Sequence, residues 1–154
     1  MKARTVFLSL ALCCAGAALS FAQNPQLGTW KLNEAKSHIP AGAPKNTTVV
    51  YEMQGDNIHV TTDGTEGNGQ PSHTDWTGKF DGKDYPLTGD QSADARSYTR
   101  VNARTLSLSN KKDGKVTISG RIVVSADGKV RTVTLHEKDP SGHTVSETAV
   151  YDRQ

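Results

Sequence analysis

Arg96, Tyr98 and Arg100 alternate along one stretch of the chain, and alternate residues of an extended segment share a face. Two guanidiniums and a phenol on one side of a strand offer hydrogen-bond donors to an anionic group, and Tyr151 near the other end of the sequence offers a second phenol. Two phases are open. Either Arg96, Tyr98 and Arg100 face inward, with Arg100 beside Tyr151 as an anchor for an anionic head group, or Ser97, Thr99 and Val101 do, and the arginines are solvated, the commoner fate of arginine. Tyr51, Met53, Trp76 and Phe80 supply apolar surface that either lines an interior space or fills it.

Other reactive types are sparse. His136 and His143 flank the Asp139–Gly142 turn, and His59 and His73 flank a glycine-rich stretch. Two imidazoles per pair, even with Glu137 or Asp75 nearby, fall short of a metal-ligand set, so surface histidines and no metal are expected. Ser109-Asn110-Lys111-Lys112 matches Ser-x-x-Lys, but it ends a strand, whereas that chemistry needs both side chains on one helix face. No Gly-x-Ser-x-Gly, P-loop, Gly-x-Gly-x-x-Gly or His-Glu-x-x-His motif occurs. Glu147 is the sole thin candidate for acid–base work, and neither an enzyme nor a cofactor is expected.

The elements that must position these residues are strands. Ten are read: Thr29–Asn33, Thr47–Met53, Asn57–Thr62, Ser72–Phe80, Lys83–Leu87, Arg96–Val101, Thr105–Lys111, Lys115–Val124, Val130–His136 and Val145–Arg153. Turn chemistry separates them at Gly55-Asp56, Asp81-Gly82, Asp113-Gly114, Asp127-Gly128 and Asp139-Pro140-Ser141-Gly142, where glycine supplies the positive φ that tight hairpins require. Pro40 and Pro44 argue against a long helix between the first two strands. An up-and-down antiparallel meander of eight to ten strands leaves two unpaired edges unless it closes, so a barrel is expected, with a two-layer sandwich as the alternative architecture. Strands of five to ten residues build a wall about 17 to 33 Å tall, enough to surround one small ligand.

Composition bounds the rest. Residues 1–22 read as a secretory signal: Lys2 and Arg4, an apolar run from Val6 to Leu19, and Ser20-Phe21-Ala22 before a cleavage point near Gln23. The run is too short for a membrane span, and no stable membrane insertion is expected of residues 23–154. Cys13 and Cys14 both lie inside it. Lipidation there is disfavoured, because a lipid-modified cysteine wants a small residue before it and neither has one. Without residues 1–22, the 154-residue chain retains 132, one domain (23–154) able to bury about two thirds of its unfolded surface. That domain has no cysteine, and its 16 basic residues balance 16 acidic ones, so the formal charge of +2 resides in the signal. Residues 23–93 carry five basic and nine acidic side chains, residues 94–154 eleven and seven. With no long basic run, this asymmetry reads as attraction between halves, and no nucleic-acid partner is expected.

Gly28-Thr29-Trp30-Lys31-Leu32 opens the first strand and Thr148 to Arg153 closes the last. These ends resemble those of calycin barrels, the superfamily of lipocalins, fatty-acid-binding proteins and avidins, and in particular the fatty-acid-binding proteins and small secreted bacterial lipocalin-like proteins. The resemblance implies a closed barrel whose first and last strands meet, with Gly28, Trp30 and Arg153 sealing one end through cation-over-indole packing. Two departures stand out. The fatty-acid-binding proteins carry a helical lid where this chain has a short Pro- and Gly-containing segment, Ala35 to Asn46. Their last strand holds a ligand carboxylate with an Arg and a Tyr two residues apart. Here Tyr151 matches the Tyr, but Ala149 stands in place of the Arg.

The expectation is a secreted, periplasmic or extracellular protein that binds a small apolar or amphipathic molecule through Tyr51, Trp76, Tyr98, Arg100 and Tyr151, without catalysis. The alternative is a structural or interaction barrel with a filled core and outward-facing Arg96, Arg100, Arg121 and Arg131.

Overall fold

The computed structural model describes residues 24–138 and 141–154. The signal read over residues 1–22 and the first half of the Asp139–Gly142 turn lie outside the described residues. The ten strands are, in chain order, β1 (Gly28–Leu32), β2 (Lys45–Gln54), β3 (Asn57–Thr65), β4 (Pro71–Gly78), β5 (Tyr85–Thr88), β6 (Ala95–Asn102), β7 (Thr105–Lys112), β8 (Lys115–Val124), β9 (Val130–Lys138) and β10 (Thr144–Arg153). Each pairs antiparallel with its sequence neighbours, and β1 also pairs with β10, with Trp30 opposite Arg153 and Leu32 opposite Tyr151. The meander is therefore a closed barrel without a free sheet edge, and the sandwich alternative is excluded.

Alternation fixes the inside. Val49 and Tyr51 on β2, Ile58, Val60 and Thr62 on β3, Leu106 and Leu108 on β7, and Ile122 and Val124 on β8 are buried, each two residues from the next. Asp113 (φ 51°) and Gly114 (φ 75°) form a two-residue connection between β7 and β8. Both lie in the left-handed region, which matches the twist of the strands they join. One short 3₁₀ turn, Glu34–Lys36, is the sole helical element among the described residues, capped by the Asn33 side chain. No helix among them is long and apolar enough to cross a membrane.

The barrel is weakest at β5. That strand shares two register pairs with β4 and two with β6, and Pro86 has no N–H to donate. Trp76 covers this seam. Its indole Nε1 donates to the Arg96 carbonyl at 3.0 Å, fastening β4 to β6 across the short strand, and its ring lies edge-on to Tyr98 (4.8 Å) and Tyr85 (5.7 Å). Gly78 makes the packing feasible, since a Cβ there would stand 2.5 Å from the Tyr85 ring. The strand read as Ser72–Phe80 therefore ends at Gly78, and Phe80 joins the aromatic cluster from the following loop.

One end of the barrel is closed by the segment before β1. Arg153 places its guanidinium carbon 4.2 Å from the Trp30 ring centroid and donates to the carbonyls of Gly128, Leu27 and Pro25. Gly28, at φ 113°, leaves the space: a Cβ there would stand 2.7 Å from Arg153 Nη1. Trp30 Nε1 donates to the Gln26 carbonyl, and the Gln26 amide reaches the Arg104 carbonyl in the β6–β7 turn.

Candidate functional site

The opposite end is open. A cavity of about 290 Å³ enters between the Pro40–Pro44 segment, the β3–β4 loop at Glu66 and the β5–β6 loop at Asp90–Ser92. Its volume equals roughly ten water molecules at about 30 Å³ each. β9 runs from the closed end to the mouth, so its inward side chains Arg131, Val133, Leu135 and Glu137 mark increasing height along the cavity. Leu108, Ile118, Ile122, Val133 and Leu135 form an apolar wall, with Glu137, Val145 and Glu147 nearer the rim.

The deep end is polar. Arg131, 3% exposed, donates from Nη2 to the Tyr51 hydroxyl at 2.6 Å, and its guanidinium carbon lies 4.6 Å from the Tyr51 ring and 5.6 Å from the Tyr151 ring. The Tyr51 hydroxyl contacts that of Tyr98 at 3.3 Å, and Arg96 Nη1 reaches the Tyr98 oxygen at 3.4 Å. Arg96 is held in turn by its Nε bond to Asn110 Oδ1 at 2.7 Å. Burial pushes the Tyr51 phenol above its ordinary value and the Tyr151 phenol up to about 12, with Arg131 opposing the rise in both. Both are protonated donors at neutral pH.

Of the residues expected to bind, Tyr51, Tyr98 and Tyr151 line this cavity and Trp76 and Arg100 do not. Trp76 is committed to the β5 seam. Arg100 is a correction: it is exposed, with its guanidinium 5.6 Å from the Phe80 ring, because β6 carries it past the deep end of the cavity and beyond reach of Tyr151. The inward phase of Tyr98 holds, yet the guanidinium beside Tyr151 comes from β9. Of the four arginines that the filled-barrel alternative turns outward, Arg100 and Arg121 are exposed, whereas Arg131 is buried and Arg96 half-buried on the inner face. Met53, two residues past Tyr51, is 56% exposed, because β2 outruns the core at the closed end. Arg131 was legible as an inward residue from its alternation with Val133 and Leu135.

His59 and His73 each bond a carboxylate and not each other. His59 bonds Asp75 and His73 bonds Asp63, each at 2.6 Å, on the outer face of β3 and β4, and His136 meets Ser146 at 2.7 Å. No group of three or more His, Cys, Asp or Glu side chains arranged to hold a metal occurs among the described residues.

Glu147 and Glu137 are diagonal neighbours on the inner face, since Val145 stands opposite Glu137 and Glu147 opposite Leu135. Burial, and then the Glu137 carboxylate, push the Glu147 carboxyl above its ordinary value. An acid with a raised folded-state pKa holds its proton longer when native. Stability is then lost as pH climbs from the unfolded value, about 4.3, through the folded one. Glu147→Gln is expected to be more stable than the parent at pH 7 and no more stable at pH 3.5. Urea unfolding at both pH values checks this; a parent protein more stable than the variant at pH 7 refutes it.

No protein-family model and no curated protein sequence matches this chain. Among solved structures, that of EF1p2_mFAP2b bound to DFHBI superposes with a TM-score of 0.50 at 12% identity, covering 84% of this chain and 94% of the other. A redesigned β barrel, b11L5F_LGL, superposes at 0.42 with 12% identity over 84% and 92% of the two chains. The first likeness is one of fold, a closed antiparallel barrel.

Proposed function

We propose that the protein binds a small, largely apolar molecule reversibly inside the barrel, without chemical conversion, and does so after secretion. The observation that carries this reading is the open cavity of about 290 Å³ in a barrel of sparse apolar content. A purely structural barrel of this size gains stability from every side chain that fills its interior. Here the space above Tyr51 and Arg131 is left unfilled, with the aliphatic side chains of β7, β8 and β9 along one side of it. Concave, mostly apolar sites with a few convergent polar groups are where proteins hold small molecules. The structural neighbour bound to DFHBI supports the capacity of such a barrel to accept a guest. The calycin-like ends of the chain agree with the same use, although the portal, built from Pro40 to Pro44, differs from a helical lid.

Uptake of the neutral apolar fluorophore N-phenyl-1-naphthylamine tests it. Wild-type protein is expected to enhance probe emission saturably, and Leu135→Trp, which projects an indole into the cavity from a half-buried position, is expected to weaken uptake at least tenfold while the variant stays folded. Absence of uptake by the wild type, or uptake indifferent to Leu135→Trp, rejects the reading.

A further inference from the structure

The mouth of the cavity is acidic. Glu66, Asp90, Glu137 and Glu147 line it, whereas Arg96 and Arg131, both at the deep end, are the sole basic residues among the described residues that line the cavity. Asp90 accepts from the Ser92 N–H and hydroxyl. Glu137 and Glu147 have no ion pair and no side-chain hydrogen bond among the described residues. Lys138, the next residue on β9, donates to Thr144 Oγ1 at 2.9 Å instead, and Lys45 pairs with Glu34 at 3.0 Å. The surroundings of the two glutamates are aliphatic: across the sheet Glu137 stands between Ile118 and Val145, and Glu147 stands opposite Leu135. Glu147 is half-buried there, so burial and the like charge of Glu137 both oppose its ionisation. The floor of the same cavity points to a guest independently. Arg131, 3% exposed, has no carboxylate within 4.0 Å among the described residues, and its Nε and Nη1 lack hydrogen-bond partners. Buried donors in that state are completed only by atoms that enter the cavity. Arg131 does not serve the glutamates, since Leu135, opposite Glu147, lies about 13 Å further along β9.

We propose that the ligand is an organic amine, bound as its ammonium form between Glu137 and Glu147 at the mouth, with its apolar body against Ile118, Val133 and Leu135. This rests on the binding reading above and specifies the class of molecule. An ammonium brings donors only, the complement of two carboxylates that no described residue neutralises. A metal ion is a poorer complement, because no group of three or more His, Cys, Asp or Glu side chains among the described residues completes a ligand set, whereas the carbon substituents of an amine cover the aliphatic side chains around the pair. An anionic guest has to pass the carboxylates that line the entrance, whose field repels it. A cation seated between Glu137 and Glu147 also relieves the repulsion between them.

A matched pair of probes, 2-naphthylmethylamine and 2-naphthylmethanol, share one ring system and differ in the charged group, and calorimetry at pH 7 and low ionic strength compares them. Wild-type protein is expected to favour the amine by about fivefold or more, and the double variant Glu137→Gln, Glu147→Gln to lose that preference while still binding naphthylmethanol. Glu147→Gln alone is expected to remove more of the preference than Glu137→Gln, because Glu147 is half-buried and Glu137 exposed. Equal affinity of the wild type for both probes, or a preference for the alcohol, overturns the amine assignment and leaves the apolar-cavity reading standing. Binding of neither overturns both. Because the two probes are compared first on the wild type, the class of ligand is decided even where a variant fails to fold. An amine preference that survives intact in the folded double variant also overturns the assignment to this pair.

Discussion

Trp30→Ala is expected to lower the unfolding free energy by about 3–5 kcal/mol and the midpoint of thermal unfolding by roughly 10–20 °C for a domain of this size. Three contacts fail together. The indole is fully buried at the point where β1 meets both β2 and β10, so its removal opens a void that backbone pairing on either side prevents from collapsing. The Arg153 guanidinium loses the ring face 4.2 Å away, an interaction of about 0.5–2 kcal/mol. The Gln26 carbonyl loses the indole N–H that holds the segment before β1 across the barrel end. Trp30→Phe keeps an aromatic face and forfeits the hydrogen bond and part of the volume, so a smaller loss of about 1–2 kcal/mol is expected. Chemical denaturation with both variants measures this. A loss below about 1 kcal/mol for Trp30→Ala, under the usual range for a buried aromatic, would show that the indole lies over the end without holding it. Native domains are stable by only about 5–15 kcal/mol in total, so the full loss would leave a large unfolded fraction on warming.

Arg131→Met is expected to change stability in the opposite direction, raising that of the ligand-free protein by about 1–3 kcal/mol. A methionine of similar length fills the space between the Tyr51 and Tyr151 rings without a charge to desolvate, and its flexible thioether packs well against aromatic edges. What the arginine contributes is limited to one bond to Tyr51 and its position over two rings. Set against those is the cost of a buried cation with two unpartnered nitrogens. Tyr51 keeps its contact with Tyr98 in the variant, so no buried hydroxyl is stranded. Denaturant midpoints of the two proteins, measured without ligand, decide the sign. Destabilisation by more than about 1 kcal/mol, the worth of a typical net hydrogen bond, would make Arg131 a structural residue of the core. Stabilisation would identify it as a group retained at a cost, the usual mark of a site kept for a partner outside the chain.

The two substitutions differ in sign because two arginines meet aromatic rings in different company. Arg153 has three carbonyl acceptors from Gly128, Leu27 and Pro25. Arg131 has one phenol. Cation-over-ring geometry is common to both, and only the count of hydrogen-bond acceptors around the guanidinium separates a stabilising plug from an unsatisfied charge.

Much of the barrel was legible in the order of residues. Period-two alternation places Tyr51, Trp76, Tyr98 and Tyr151 on faces that can be buried, and Asp-Gly pairs mark where the chain reverses, because these signals are local consequences of backbone geometry. Closure is their consequence, since a sequential antiparallel meander with unprotected edges is an unstable end point. The cavity floor was only half legible. Alternation allows Tyr51, Tyr98 and Tyr151 to face inward without bringing them together, and the guanidinium beside Tyr151 comes from Arg131 on β9 and not from Arg100 on β6. Alternation tells which side of a strand a residue faces. It does not tell how far along the barrel axis that residue stands relative to one on a distant strand, a quantity set by strand stagger and by bulges such as that between Arg100 and Asn102.

By itself, then, the amino-acid sequence determined ten strands and their sequential pairing, since each depends on neighbours in the chain, and the meeting of Trp30 with Arg153 was implied by the resemblance of its two ends to those of calycin barrels. Tertiary structure alone decided that the interior is left open, that Trp76 fastens a weak seam, and that Arg131 lies buried without an acid to neutralise it. Those outcomes depend on the summed shear of ten strands and on the volume that side chains from all of them leave unfilled, and no single segment of the chain encodes either.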